Sequence, residues 1–116
     1  MNRQTALQIL LVDDEDIVHQ TIGDYLQESG HKVESAFDGE AALWWIEAEE
    51  CDLALIDVRL ADMDGLDLLA SVQENYPDIA VVIITGHGSM ETAIRALRLG
   101  VADFLPKPVK LLDLDA

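Results

Sequence analysis

The chain has 116 residues, half of them hydrophobic, with seven lysines and arginines against 23 acids and a formal net charge of -16. That length suits one domain with a real core, and the charge excludes unaided nucleic-acid binding, because phosphate contact needs basic side chains that this chain mostly lacks. A single cysteine, Cys51, leaves no internal disulfide and no metal-ligand spacing, which fits a reducing compartment. With no charged-then-apolar leader and no apolar run long enough for a bilayer, the expected location is the cytoplasm, away from membranes. The acidic excess lies upstream of His87. From there to the end Glu91, Asp103, Asp113 and Asp115 are matched by Arg95, Arg98, Lys107 and Lys110, a balance suited to a protein contact.

In chain order, Met1 to Thr5 are polar and expected to fray. Leu7 to Val12 form a first apolar strand that closes on Asp13-Asp14-Glu15-Asp16, acids favoured where a helix begins. Val18, Ile22, Tyr25 and Leu26 supply a helical stripe, and Gly30 stops it. Lys32 to Ala36 alternate rather than run apolar and read as an edge strand. Asp38-Gly39 then turns into a second helix through Ala42, Leu43 and Ile46. Trp44 and Trp45 are adjacent on it, so they cannot share its buried face, and one ring is expected to be partly exposed.

Leu53-Ala54-Leu55-Ile56-Asp57 is a nearly unbroken apolar run ending in an acid, the pattern of a parallel strand buried on both faces. Leu66, Leu68, Leu69 and Val72 make a third helix that stops before Tyr76-Pro77. Ala80 to Thr85 form a fourth buried strand, followed by the loop Gly86-His87-Gly88. Met90, Ala93, Ile94 and Leu97 form a fourth helix closing at Gly100, and Phe104-Leu105 a short fifth strand. Pro106-Lys107-Pro108 breaks the chain before Val109 to Ala116, which has room for about two helical turns. Strand and helix alternate without a hairpin signal, so the expected fold is α/β: one five-stranded, doubly wound parallel sheet of order 2-1-3-4-5.

Chemistry in such folds sits beyond the carboxyl ends of the strands. The winding brings Asp13, Asp14, Asp57, Thr85 and Lys107 to one edge. Carboxylates held this close raise a proton affinity or call for a divalent cation, and hard oxygen ligands with little histidine or cysteine nearby suit Mg²⁺. A carboxylate beside Mg²⁺ can attack phosphorus, with the Lys107 ammonium and the Thr85 hydroxyl neutralising the phosphoryl oxygens. The histidines His19, His31 and His87 form no triad and read as surface residues.

These residues also carry a resemblance. Leu11-Val12-Asp13-Asp14-Glu15, Ala54 to Leu60 with Met63-Asp64-Gly65, Ile84-Thr85, and Asp103 to Pro108 together resemble the receiver domain of bacterial two-component response regulators, a flavodoxin-like fold, across essentially all of residues 1–116. The resemblance implies that Asp57 accepts a phosphoryl group from a phosphohistidine on a sensor histidine kinase or phosphotransfer protein. It implies that Asp13, Asp14, Asp57 and the backbone carbonyl of Arg59 hold Mg²⁺, and that Thr85 and Lys107 bind phosphoryl oxygens. Thr85 and Phe104 would be the switch pair, and Arg59 and His87 would tune dephosphorylation. Arg95 and Arg98 would lie on a face of the fourth helix and fifth strand that, with the last helix, docks a second copy or an output domain.

Two departures stand out. Ala61 occupies a position where the family usually has proline, which leaves the loop after Asp57 less stiff. The last helix is short, as in a module excised from a longer chain with a C-terminal output domain. The run Thr85 to Thr92 looks like that of receivers attached to transcriptional activators, including the AAA+ type. Three rivals remain. A phosphohydrolase of the haloacid-dehalogenase type would carry a second Asp where this chain has Arg59. A binding domain that no longer takes phosphate is opposed by the presence of all five site residues. A flavin carrier lacks support because no Ser/Thr-rich phosphate loop follows the first strand.

Overall fold

In this computed structural model residues 6–86 and 90–107 are described. The expectations for Met1 to Thr5, His87 and the segment from Pro108 to Ala116 lie outside the described residues.

Five apolar segments extend as parallel strands: β1 (Gln8–Val12), β2 (Lys32–Ala36), β3 (Leu53–Asp57), β4 (Ala80–Thr85) and β5 (Asp103–Pro106). They pair in the order β2-β1-β3-β4-β5, as the sequence pattern requires. Because successive side chains on a strand point to opposite faces, each central strand feeds two core layers. On one face Leu10, Val12, Ala54, Ile56, Val81 and Ile83 are buried; on the other Ile9, Leu11, Leu55 and Ile84. That double burial is why these strands read as unbroken apolar runs while β2, at the edge, alternates.

The first helical segment, α1, runs through three consecutive stretches, Asp16–Val18, a π-helical turn His19–Gly23, and Asp24–Glu28. It covers the second layer with Val18, Ile22 and Leu26. The π turn was not expected from the 3.6-residue spacing. Wide turns of this kind recur at functional sites, and His19 opens this one. Helices α2 (Gly39–Ala48), α3 (Gly65–Asn75) and α4 (Met90–Arg98) follow their strands. Ala42 and Ile46 of α2, Leu66, Leu68, Leu69 and Val72 of α3, and Ala96 of α4 are buried in the first layer.

Helix ends follow local chemistry. Asp38 caps α2 by accepting from the Ala41 N–H at 2.8 Å, and Asp64 caps α3 by accepting from the Leu66 N–H at 2.7 Å, each supplying an acceptor to an otherwise orphan amide. After α1 and α4 the chain turns through Gly30 and Gly100 at φ of 98° and 86°, a region that favours glycine. Trp44 is the exposed ring of the tryptophan pair at 64%, set edge-on to the half-buried Trp45 at 5.8 Å. Among the described residues no helix is long and apolar enough to cross a membrane.

Candidate functional site

The register of the sheet assembles the site. Val12 pairs with Ile56, and Asp57 pairs with Ile84, so Asp13 emerges from β1 level with Asp57 at the end of β3. Thr85 pairs with Pro106, which delivers Lys107 beyond β5; the Lys107 N–H donates to the Thr85 carbonyl at 2.9 Å. Carboxylate oxygens of Asp13, Asp14 and Asp57 lie within 4.8 Å of one another. Asp13 is fully buried, Asp57 is 5% exposed, and Asp14 reaches solvent.

Two acids this deep need compensation. One Asp13 oxygen accepts the Glu15 N–H at 2.9 Å. The other, Oδ2, lies 2.9 Å from the Lys107 ammonium as an ion pair without hydrogen-bond alignment. The same ammonium donates to Glu15 at 2.8 Å and stands 3.4 Å from Asp57. Burial, then the Asp13 charge, push the Asp57 carboxyl above its usual range, while Lys107 and the Arg59 N–H pull it down. For Lys107 burial opposes the charge, but Glu15, Asp13 and Asp57 outweigh it and hold the ammonium firmly protonated. The cluster thus carries more negative than positive charge and an imperfectly satisfied buried carboxylate oxygen. That donor set is one a hard divalent cation such as Mg²⁺ fits.

Of the residues singled out from sequence, Asp13, Asp14, Asp57 and Lys107 converge, with Thr85 buried beside them at 2% exposure. Arg59 is exposed in the loop that leaves β3. Phe104, on β5 opposite Ile83, is half-buried against the layer that holds Ala96. Arg95 and Arg98 are exposed on α4, and Arg95 donates to Asp67 of α3 at 2.9 Å.

Two histidines correct the sequence reading. His19 and His31 were expected on the surface, yet both are half-buried and engaged. His31 Nδ1 accepts the Leu7 N–H at 3.0 Å. His19 spans Ser35 Oγ at 2.9 Å and the Asp13 carbonyl at 2.7 Å, with its ring 4.1 Å from that of Phe37. Sequence reasoning also missed Glu15 as a Lys107 partner, since an acid at a helix start already has a reason to be there. It missed Asp62 altogether: its carboxylate accepts the N–H groups of Gly39 and Glu40 at 2.8 and 3.0 Å. The signal was an acid in a polar turn, which says nothing about a partner over 20 residues away.

Comparison with known proteins agrees with this geometry. Residues 9–116 match the family model described as the response regulator receiver domain. The chain is 37% identical over 105 residues to the nitrogen assimilation regulatory protein NtrX of Azorhizobium caulinodans, covering 89% of this chain and 23% of that protein. It is 40% identical over 111 residues to the response regulator protein PilR of Pseudomonas aeruginosa, covering 96% of this chain and 24% of that protein. It therefore spans about a quarter of the length of these curated relatives. The crystal structure of a CheY-like receiver domain protein from Methanospirillum hungatei superposes with a TM-score of 0.90 at 33% identity, covering 95% of this chain and 88% of that one. With sheet order, acidic edge and family match in agreement, the chain belongs to the response regulator receiver domain family.

Proposed function

We propose that residues 1–116 form a receiver unit of a longer regulator, and that Asp57 is its phosphoacceptor. A carboxylate oxygen of Asp57 attacks the phosphorus of a phosphohistidine on a sensor histidine kinase or phosphotransfer protein. A P–O bond forms, the P–N bond breaks, and the imidazole leaves and takes a proton from solvent. The observation that carries this reading is the burial of Asp57 between Asp13 and the Lys107 ammonium, at the sheet edge where Asp14 opens to solvent.

Asp13, Asp14, Asp57 and the Arg59 carbonyl would hold Mg²⁺. When bound, the ion supplies neutralisation of the phosphoryl oxygens during transfer. Lys107 would move its ammonium from Glu15 toward the new phosphoryl group, and the Thr85 hydroxyl would turn to it. The vacated space would draw Phe104 inward and shift the population toward a second arrangement of α4 and β5. Arg95 and Arg98 lie on that face, where a second copy or an output domain would dock, with the last helix contributing. Arg59 and His87 would set how long the acyl phosphate lasts. Other relatives are named as transcriptional regulatory proteins, which supports transcription control through a separate output domain; the domain would act as a regulatory acceptor rather than a turnover enzyme.

The test is intact mass after incubation with acetyl phosphate, with and without Mg²⁺, on wild type and Asp57→Asn. One phosphoryl group that requires both Mg²⁺ and Asp57 is the expected result. If no adduct forms and beryllofluoride also fails to bind the folded protein, the reading is overturned.

A further inference from the structure

The loop from Val58 to Asp64 carries Arg59 away from Asp57 and returns the chain to α3. Its base is closed by backbone: the Gly65 N–H donates to the Val58 carbonyl at 2.6 Å, and Arg59 pairs with Asp64 in antiparallel fashion. Its far end is held differently. Asp38 already caps α2 through the Ala41 amide, leaving the first two amides of that helix to an outside acceptor. Asp62 is that acceptor, with Oδ1 on Gly39 and Oδ2 on Glu40. The next residue, Met63, lies so close over Gly39 that a Cβ there would meet its side chain within 2.6 Å. The two amides lower the pKa of the Asp62 carboxyl from its ordinary value, and with both oxygens occupied it does not join the cluster of Asp13, Asp14 and Asp57.

We propose that Asp62 is a positioning residue for the cation site: its carboxylate, clamped across the first two amides of α2, fixes the loop that presents the Arg59 carbonyl. The inference rests on the functional reading above and deepens it. Ala61 lacks the ring that would fix φ at this point of the chain, and Asp62 beside it supplies a restraint of another kind. Asp62 acts through backbone, so its loss changes the site without removing a ligand. Outer partners of metal ligands commonly alter affinity ten- to a hundredfold.

The experiment measures Mg²⁺ binding by calorimetry on the unphosphorylated protein and, beside it, amide hydrogen exchange at residues 39, 40 and 58–64. Asp62→Ala is expected to weaken Mg²⁺ about tenfold and to speed exchange at Gly39 and Glu40. Ala61→Pro in the same chain is expected to recover most of the affinity without restoring protection at those two amides. A general loss of stability would not give that separation. Asp62→Asn, which keeps one acceptor oxygen, is expected to fall between the two and serves if the alanine variant does not fold. Wild-type affinity in Asp62→Ala, or unchanged exchange at residues 39 and 40, would overturn the proposal while leaving the phosphoacceptor reading intact. Wild-type protein that binds neither Mg²⁺ nor a phosphoryl group would overturn both.

Discussion

The segment that follows β3 and the helix that follows β4 leave neighbouring strands at the same edge of the sheet, yet they are fastened in opposite ways. The first is held by backbone and carboxylate hydrogen bonds at its base, at its tip and at the start of α3. In the second, Ala96 is buried, whereas Ile94 and Leu97 stand 42% and 69% exposed. Among the described residues, two polar contacts at the periphery join α4 and the turn after it to α3: Arg95 on Asp67, and the Gln73 amide on the Gly100 carbonyl at 2.6 Å. Fewer large apolar side chains of α4 than of α3 are buried among the described residues, so a second position is expected to cost α4 less. A displacement of the loop would instead break directed bonds. On the proposed reading, rigidity falls where a phosphoryl group would be aimed, and freedom where the result would be read out.

The comparison breaks most severely at Gly65. A Cβ there would run into the Asp57 carbonyl oxygen and come within 2.8 Å of the Val58 Cα, and backbone cannot turn aside as a side chain can. Gly65→Ala is expected to cost more than about 3 kcal/mol, at or beyond the upper end of overpacking penalties, which thermal denaturation would record as a fall of roughly 10–15 °C. A melting point within a degree or two of wild type would mean that the loop is not fixed as described. Next come two leucines in similar helices. Leu69 of α3 is fully buried, so Leu69→Ala is expected to lose about 3 kcal/mol. Leu97→Ala on α4 is expected to stay within about 0.5 kcal/mol. Urea titration of the pair measures the contrast directly, and equal losses would refute it.

That pair also marks where the sequence was legible. Both helices were found by spacing, and the four-residue stripe of α3 is the buried one. On α4 the stripe containing Ile94 and Leu97 faces outward, while the small Ala96 lets the helix lie close on the sheet. Periodicity finds an apolar stripe but cannot tell whether the sheet covers it. The strands, their order and the convergence of Asp13, Asp57, Thr85 and Lys107 were readable because each follows from an apolar run with a polar end and from the parallel winding rule. The contacts of Glu15, His19 and Asp62 were not, because each joins residues far apart in sequence through side chains that also have ordinary local reasons to be polar.

The clamp at Asp62 gives a pH signature. The Gly39 and Glu40 amides depress its folded pKa, against an unfolded value of about 3.9. Its contribution to stability is therefore complete above the unfolded value and is lost as pH falls through the folded one. Wild type and Asp62→Ala are expected to differ in stability by a constant amount from pH 7 to about pH 5 and to converge in stronger acid. Denaturant titrations across that range test it. A gap that widens in acid would give the opposite sign and remove the clamp.

The smallest effect belongs to the Arg95–Asp67 pair. Both side chains are at least half exposed, and pairs of that kind contribute about 0–1 kcal/mol, less as salt rises. Asp67→Ala is therefore expected to leave the melting point almost unchanged. Its use lies elsewhere. Because the pair spans α3 and α4, removing it frees Arg95 for the outward face without touching the site at the sheet edge. If that face docks a second copy, Asp67→Ala raises the fraction of dimer at a given concentration in sedimentation experiments, and Arg95→Ala lowers it while leaving stability equally undisturbed. Matching shifts in the two variants would show that Arg95 acts only by holding α4 in place, and the face would then owe its binding to Ile94 and Leu97.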